Sequence, residues 1–421
     1  MILWLYRRAG RAAAPLGQAL LRRRLRAGKE DPDRIGERMG HASLPRPDGP
    51  LIWLHAASVG EAQSVLRLIH RLRAERPETS ILITTGTVTS GKMLSRDLPD
   101  GALHQYVPVD LPDATGRFIG HWRPDMAIWI ESELWPNLLA AMAGTGRPMA
   151  LINGRMSRRS WRRWRLASGA ARELLSAFRL ILAQTDEAAA RFADLGGGNV
   201  RCEGNLKYAA DPLPADEEDL ARLREIVAAR PFWIAASIHP GEDDIALDAH
   251  LTLRDSFPDL LTVLVPRHPA RAADMARKAE KRGIAWCQRT AGQTPGPDCG
   301  VYIADTIGEL GLFYRLDGPV FVGGSLVPHG GQNLLEPARF GRGLLTGPHT
   351  HNFADVVADL RSEGALIEVQ DSEELAASLA RLIAHADERN SLGARALAIA
   401  ARQSAVLDRV MARLEPLLPG S

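Results

Sequence analysis

Short runs of apolar, often β-branched residues recur along the chain, and between them apolar positions return with helical spacing. Leu51–His55 predicts a buried strand and Glu61–Arg73 a helix behind it. Ser80–Thr84 is the next strand, followed by a Gly/Thr/Ser turn and a short helix. Met126–Ile130 precedes a helix from about Leu134, and Met149–Ile152 and Leu180–Ala183 continue the series. Uninterrupted apolar strands alternating with helices imply βαβ units and a parallel sheet covered on both faces. The pattern breaks at Asp211-Pro-Leu-Pro214 and the acidic stretch after it, which reads as a linker. A second series follows in Phe232–Ala236, Leu261–Val265, Val301–Ala304, Val320–Val322 and Leu344–Leu345, with Ala/Leu/Arg-rich helix from about Glu373. The expectation is an α/β chain with a basic amphipathic segment at 1–30 and two Rossmann-like domains at 31–210 and 211–421. In open parallel sheets ligands bind beyond the carboxyl ends of the strands, so the loops that follow them are where chemistry is sought.

Composition narrows this only locally. The 421 residues suit two or three domains, and a net charge of +2 favours no class of partner. Three cysteines, Cys202, Cys287 and Cys299, form no C-x-x-C, so neither a disulfide framework nor a zinc site is expected, and a reducing compartment fits. At the N-terminus, Met1-Ile-Leu-Trp-Leu-Tyr6 is far shorter than the ~20 residues a spanning helix needs. Arg7, Arg8 and Arg11 follow it, then Leu16, Leu20 and Leu21 with Arg22, Arg23, Arg24 and Arg26. This reads as a helix lying in a membrane interface, or as a packed helix with a solvated basic face. Arg155–Arg165, with Trp161 and Trp164 among its arginines, suits lipid headgroups, nucleic acid or inward-packed tryptophans.

Several strand ends carry reactive side chains. In His55-Ala-Ala-Ser-Val-Gly-Glu61 the serine and glutamate fit a capping box, and Glu61 also fits a general base at a strand's end. Glu131 and Glu133 close an otherwise apolar strand; a helix-start acid would explain Glu133 and explains Glu131 less well. Lys207 could neutralise a phosphate or carboxylate, or be a solvated linker lysine. In the second series Arg267 suits anionic oxygens, with His268 beside it. The glycine turns Asp305–Leu310, Gly323–Ser325 and Gly330–Pro337 each follow a strand, where backbone N–H groups can approach a phosphate.

Taken together these segments resemble the Kdo (3-deoxy-D-manno-octulosonic acid) transferase family of lipopolysaccharide biosynthesis. The matching pieces are Gly36–Arg38, His55–Glu61, Glu131–Asn137, Asn153–Ser157, Gly204–Tyr208, Pro266–Pro269, Asp305–Leu310 and Gly323–Pro337, in family order over nearly the whole chain. The resemblance implies a GT-B fold of two facing Rossmann-like domains, the first binding the acceptor and the second the nucleotide sugar. It implies inverting, metal-independent transfer of Kdo from CMP-Kdo to lipid A precursor (lipid IVA), with no cofactor. Glu61 becomes the proton acceptor, and Glu131 and Lys207 stabilise the transition state. CMP contacts fall on Arg267 and His268, on Gly308, Glu309 and Leu310, and on Asn333, Leu334, Leu335 and Glu336. The implied location is the cytoplasmic face of a bacterial inner membrane; arginines interrupt the apolar N-terminus early, which suits peripheral attachment. Rival readings are a GT-B enzyme for another nucleotide sugar, a nucleic-acid binder, which the near-neutral charge disfavours, and a membrane scaffold, which leaves Glu61 idle.

Overall fold

All the apolar runs read as strands lie inside parallel sheets. The computed structural model describes residues 2–131, 134–209, 212–228 and 230–420. The first sheet holds β1 (Leu51–His55), β2 (Ser80–Thr85), β3 (Ala102–Tyr106), β4 (Met126–Ile130), β5 (Met149–Gly154), β6 (Leu180–Ala183) and β7 (Val200–Cys202), in the order β3-β2-β1-β4-β5-β6-β7. The second holds β8 (Phe232–Ile238), β9 (Leu261–Pro266), β10 (Trp286–Gln288), β11 (Val301–Ile303), β12 (Val320–Val322), β13 (Leu344–Thr346) and β14 (Ile367–Glu368), in the order β10-β11-β9-β8-β12-β13-β14. Every pairing is parallel. The sequence pattern locates the inner strands and misses β3, β7, β10 and β14, which are the four edges. An edge strand has one neighbour and keeps more accessible positions, so residues such as Arg201 and Gln288 interrupt the apolar signal, as do the buried, hydrogen-bonded His104 and Gln105 of β3.

Three expectations are corrected. The acidic stretch after Pro214 is not linker: Glu217–Ala228 is a helix that buries Leu220, Leu223 and Val227. The helix expected from about Leu134 starts at Pro136, while Ser132 and Glu133 lie outside the described residues. The second domain does not run to 421. The chain forms two compact units, residues 1–210 with 403–421, and residues 211–402. Helix Val406–Leu414 places Val406, Val410, Met411 and Leu414 in one core cluster with Ile52 and Leu54 of β1 and Ile128 of β4. Its amphipathic pattern shows that it must cover a sheet, and nothing in that pattern says which one. Arg71 with Asp408 at 2.8 Å and Arg413 with Glu203 at 2.8 Å hold it there.

The basic N-terminus is likewise part of the first unit. Helices Ile2–Ala12 and Ala14–Arg26 bury Leu3 and Leu21 but leave Trp4 (54%), Leu5 (52%), Leu16 (74%) and Leu20 (57%) exposed. Among the described residues no helix is long and apolar enough to cross a membrane. The cysteine reading is also corrected. Cys287 of β10 and Cys299, just before β11, are joined as a disulfide, with Cα atoms 6.2 Å apart. Parallel pairing of β10 with β11 brings them together, and a spacing of 12 residues in sequence does not reveal it. Paired in this way, Cys287 and Cys299 do not point to a reducing compartment.

The placement of the C-terminal helix is testable. Leu414 is fully buried, so Leu414→Ala should cost about 2–5 kcal/mol. Hydrogen exchange should show lost protection in β1 and β4 while β8 and β9 keep theirs. Loss confined to β8 and β9 would return the helix to the second unit.

Candidate active site

In the first sheet the strand order turns about β1, whose neighbours are β2 and β4. The crevice beyond such a reversal is where open parallel sheets bind ligands. Glu61 stands there, in the first turn of helix Val59–Glu75. The capping-box reading is realised: Ser58 Oγ accepts from Glu61 N at 3.3 Å. In return Glu61 Oε1 accepts from Ser58 Oγ at 3.0 Å and Oε2 from Ala57 N at 2.8 Å. These bonds aim the carboxylate rather than exhaust it, because a carboxylate has about four acceptor positions.

Glu131 ends β4 with a left-handed backbone, φ 61°. Its carboxylate lies 3.3 Å from Lys207 Nζ. The turn that carries Lys207 is braced on several sides. Asn153 Oδ1 accepts from Leu206 N and Asn205 Oδ1 from Lys207 N, each at 3.0 Å. Leu206 is buried, and Glu203 is gripped by Arg413 at 2.8 Å and Arg409 at 3.3 Å. A half-exposed ammonium held against a carboxylate at a sheet's carboxyl edge is poised to meet negative charge.

The order of the second sheet turns about β8, between β9 and β12. Glu242, fully buried, accepts from His239 N (2.9 Å), Gly324 N (2.6 Å), Ser325 N (2.8 Å) and Leu326 N (2.9 Å). The Gly323–Ser325 turn, read as a phosphate cradle, therefore has its N–H groups committed, those of Gly324 and Ser325 to Glu242 and that of Gly323 to Ala236 O. Gly331 N likewise donates to Gly324 O at 2.7 Å. Beside this tied loop is a cavity of about 200 Å³ lined by Leu213, Ser237, Arg267, Gly308, Leu310, Tyr314, Gln332, Asn333 and Glu336. Burial raises the Glu336 carboxyl above its ordinary value, opposed by the bond from Asn333 Nδ2 at 3.1 Å. Gln332 Nε2 is 3.0 Å from Nε2 of His239, a ring that burial and the nearby His329 depress to about 4.

Residues 33–210 match the family model described as 3-deoxy-D-manno-octulosonic-acid transferase (kdotransferase). A probable 3-deoxy-D-manno-octulosonic acid transferase, mitochondrial, of Arabidopsis thaliana is 36% identical over 380 residues, 88% of this chain and 85% of that one. The 3-deoxy-D-manno-octulosonic acid transferase of Haemophilus influenzae is 35% identical over 395 residues, 91% of each. The chain belongs to the Kdo transferase family. A solved glycosyltransferase from Rickettsia africae superimposes with TM-score 0.55 at 12% identity, covering 89% of this chain and all of that one, which bears on the fold alone. This Kdo transferase is thus a GT-B type glycosyltransferase of lipopolysaccharide biosynthesis.

The Kdo transferase groups its sequence-derived candidates within each unit. Glu131 and Lys207 pair, and Glu61 lies at the adjacent strand end. Arg267, Gly308, Leu310, Asn333 and Glu336 share the cavity. Four others lie differently. His268 is exposed and stands 6.3 Å from the His239 ring, Glu309 turns its carboxylate to Arg289 at 2.8 Å, and Leu334 and Leu335 are buried. Ser237, Glu242 and Tyr314 escaped the sequence reading, and Gln332 entered it only as part of the Gly330–Pro337 turn; the run His239–Glu242 behind a buried strand was the available signal. Trp161 and Trp164 pack partly against the core, and Trp161 Nε1 donates to Asp194 at 2.8 Å. No group of His, Cys, Asp or Glu among the described residues could hold a metal.

Two inaccessible histidines give the transferase an acid limit. His55 and His250 are fully buried, and each places Nδ1 on a threonine hydroxyl, Thr84 at 3.0 Å and Thr262 at 2.9 Å. Burial first, then nearby arginines, depress them from 6.5 to about 3 and about 4. As pH falls below 6.5 the unfolded chain takes up both protons before the native one does, so stability falls with pH down to about 4. The slope is ~1.4 kcal/mol per pH unit for each proton. Denaturant unfolding between pH 7 and 5 should show it, and His250→Asn should remove about one proton from the slope. An unchanged slope in that variant would mean His250 titrates normally.

Proposed function

We propose that this enzyme transfers Kdo from CMP-Kdo to lipid A precursor with inversion at the anomeric carbon and without a metal ion. The observation that carries the reading is the cavity beside the second sheet's reversal, where Arg267 faces the same space as Asn333 and a partly buried Glu336. That combination suits a nucleoside monophosphate: a guanidinium for the phosphate, an amide and a carboxylate for ribose hydroxyls. The second unit then holds the donor, and the first supplies Glu61, Glu131 and Lys207 for the acceptor.

In this scheme Glu61 takes the proton from the acceptor hydroxyl as its oxygen bonds to the anomeric carbon. The bond from that carbon to the phosphate oxygen breaks, and CMP leaves. Lys207, held by Glu131, offsets negative charge in the transition state without reorganising.

We also propose peripheral attachment to the cytoplasmic face of the inner membrane. The exposed Trp4, Leu5, Leu16 and Leu20 stand among the arginines of the first two helices, an apolar and basic surface suited to anionic lipid.

Glu61→Gln keeps the capping box, which accepts glutamine, but removes the base. Transfer should fall by ~10²–10⁴, read by mass analysis of lipid IVA incubated with CMP-Kdo, while CMP affinity stays. Glu336→Ala should show the reverse, weakening CMP binding by ~1–3 kcal/mol in calorimetry. If Glu61→Gln loses CMP and Glu336→Ala keeps it, the roles of the two units are exchanged.

Replacing Trp4, Leu5, Leu16 and Leu20 by serine should release the protein from anionic vesicles without unfolding it, since Leu3 and Leu21, which pack inward, are untouched. Undiminished vesicle binding would move the contact to another surface, such as Arg158–Arg165.

A further inference from the structure

Four described residues other than glycine have φ in the left-handed region: Arg123, Glu131, Asn153 and Ser237. Arg123 ends a helix, Glu131 carries the partner of Lys207, and Asn153 braces the Lys207 turn. Ser237, at φ 57°, has no such structural employment. It lies where the β8–β9 register jumps, between Ala235↔Leu264 and Ile238↔Pro266. Glycine would take this conformation without strain. Strain of this kind persists where surrounding structure enforces it and gathers at functional sites. Here the enforcing contacts are the Glu242 carboxylate on His239 N and the bond from Arg267 N to Ile238 O at 3.1 Å.

The serine side chain itself carries the second observation. Ser237 is only 7% exposed and lines the cavity of Arg267, Asn333 and Glu336. Its hydroxyl has no hydrogen-bond partner among the described residues. The left-handed backbone is a cost that packing does not offset, and it leaves a hydroxyl without a protein partner at the cavity wall. Both are explained if the hydroxyl is reserved for a ligand. The Arg267 backbone is bonded to the residue after Ser237, so the cavity's cation and this hydroxyl come from adjoining strand ends. We propose that Ser237 is a donor-binding residue whose hydroxyl donates a hydrogen bond to a phosphate oxygen of the nucleotide sugar. This rests on the reading of the cavity as the CMP site.

The test is calorimetry with CMP and with cytidine on the full-length wild type, Ser237→Ala, Ser237→Gly and Glu336→Ala, with melting curves for each. Ser237→Ala should weaken CMP roughly tenfold to a hundredfold, the range for a hydrogen bond to a charged group. Cytidine affinity, lacking the phosphate, should not change. Ser237→Gly should lose the same CMP affinity while its Tm stays level or rises, because the left-handed strain is relieved. That opposition of binding and stability is something a merely structural serine cannot produce. CMP affinity unchanged in both serine variants, with Glu336→Ala still weakened, overturns this inference alone. Equal loss for CMP and cytidine overturns the phosphate contact. A wild type that binds no CMP sinks the nucleotide reading and this inference with it.

Discussion

One buried carboxylate organises the second unit. Glu242 accepts four backbone N–H bonds, one from the loop after β8 and three from the loop after β12. A charge removed from water is tolerable only when it is fully bonded, and these donors meet that requirement. The consequence is geometric. The two loops that flank the sheet's reversal cannot move apart without exposing a bare carboxylate to a dry interior. Downstream, Gly331 is bonded to Gly324, so the segment leading to Asn333 and Glu336 takes its position from the same anchor. Upstream, the anchored His239 holds the end of β8, and with it Ser237.

The first unit reaches a similar stiffness by different means. Here Lys207 is set by converging supports. Asn153 holds the turn from β5, and the C-terminal helix holds it from the other direction through Glu203. Gly204, at φ 94°, sits against Val406: a Cβ there would come within 2.8 Å of Val406 Cγ2. Closeness between that turn and the returning helix therefore requires the missing side chain. The Gly36–Arg38 segment is structural in the same unit, since Glu37 is buried and accepts from Tyr106 N at 2.6 Å.

What the sequence revealed follows from which forces leave a local trace. Inner strands are covered on two faces and paired on two sides, so Ile52, Ile128 or Val263 could hardly be polar, and their runs are legible. Edge strands such as Trp286–Gln288 carry no such demand. Glu61 and Glu131 stood out as candidates because charge at the end of an apolar run is conspicuous, whereas Lys207, behind the polar edge strand β7, was singled out by the family resemblance. Ser237 was not, because serine is unremarkable in sequence and only its backbone angle sets it apart. Glu242 was missed for the converse reason: an acid after His-Pro-Gly looks like an ordinary helix start, and three of its four partners lie more than eighty residues away. The pairing of Cys287 with Cys299 and the destination of helix Val406–Leu414 are likewise facts of tertiary neighbourhood.

That returning helix bears on how the chain is made. During synthesis residues 1–210 emerge first, and domains generally begin folding in that order. Yet the face of the first sheet that includes Ile52, Leu54 and Ile128 is completed by Val406, Val410 and Leu414, which are translated after the whole second unit. Until then that face is covered only in part, by Val65, Leu68 and Leu72 of helix Val59–Glu75, and a nascent chain in that condition is exposed to aggregation and to chaperone capture. The second unit has no such wait. Residues 211–402 contain its complete sheet, so the later-made half of this enzyme is the first that can finish folding.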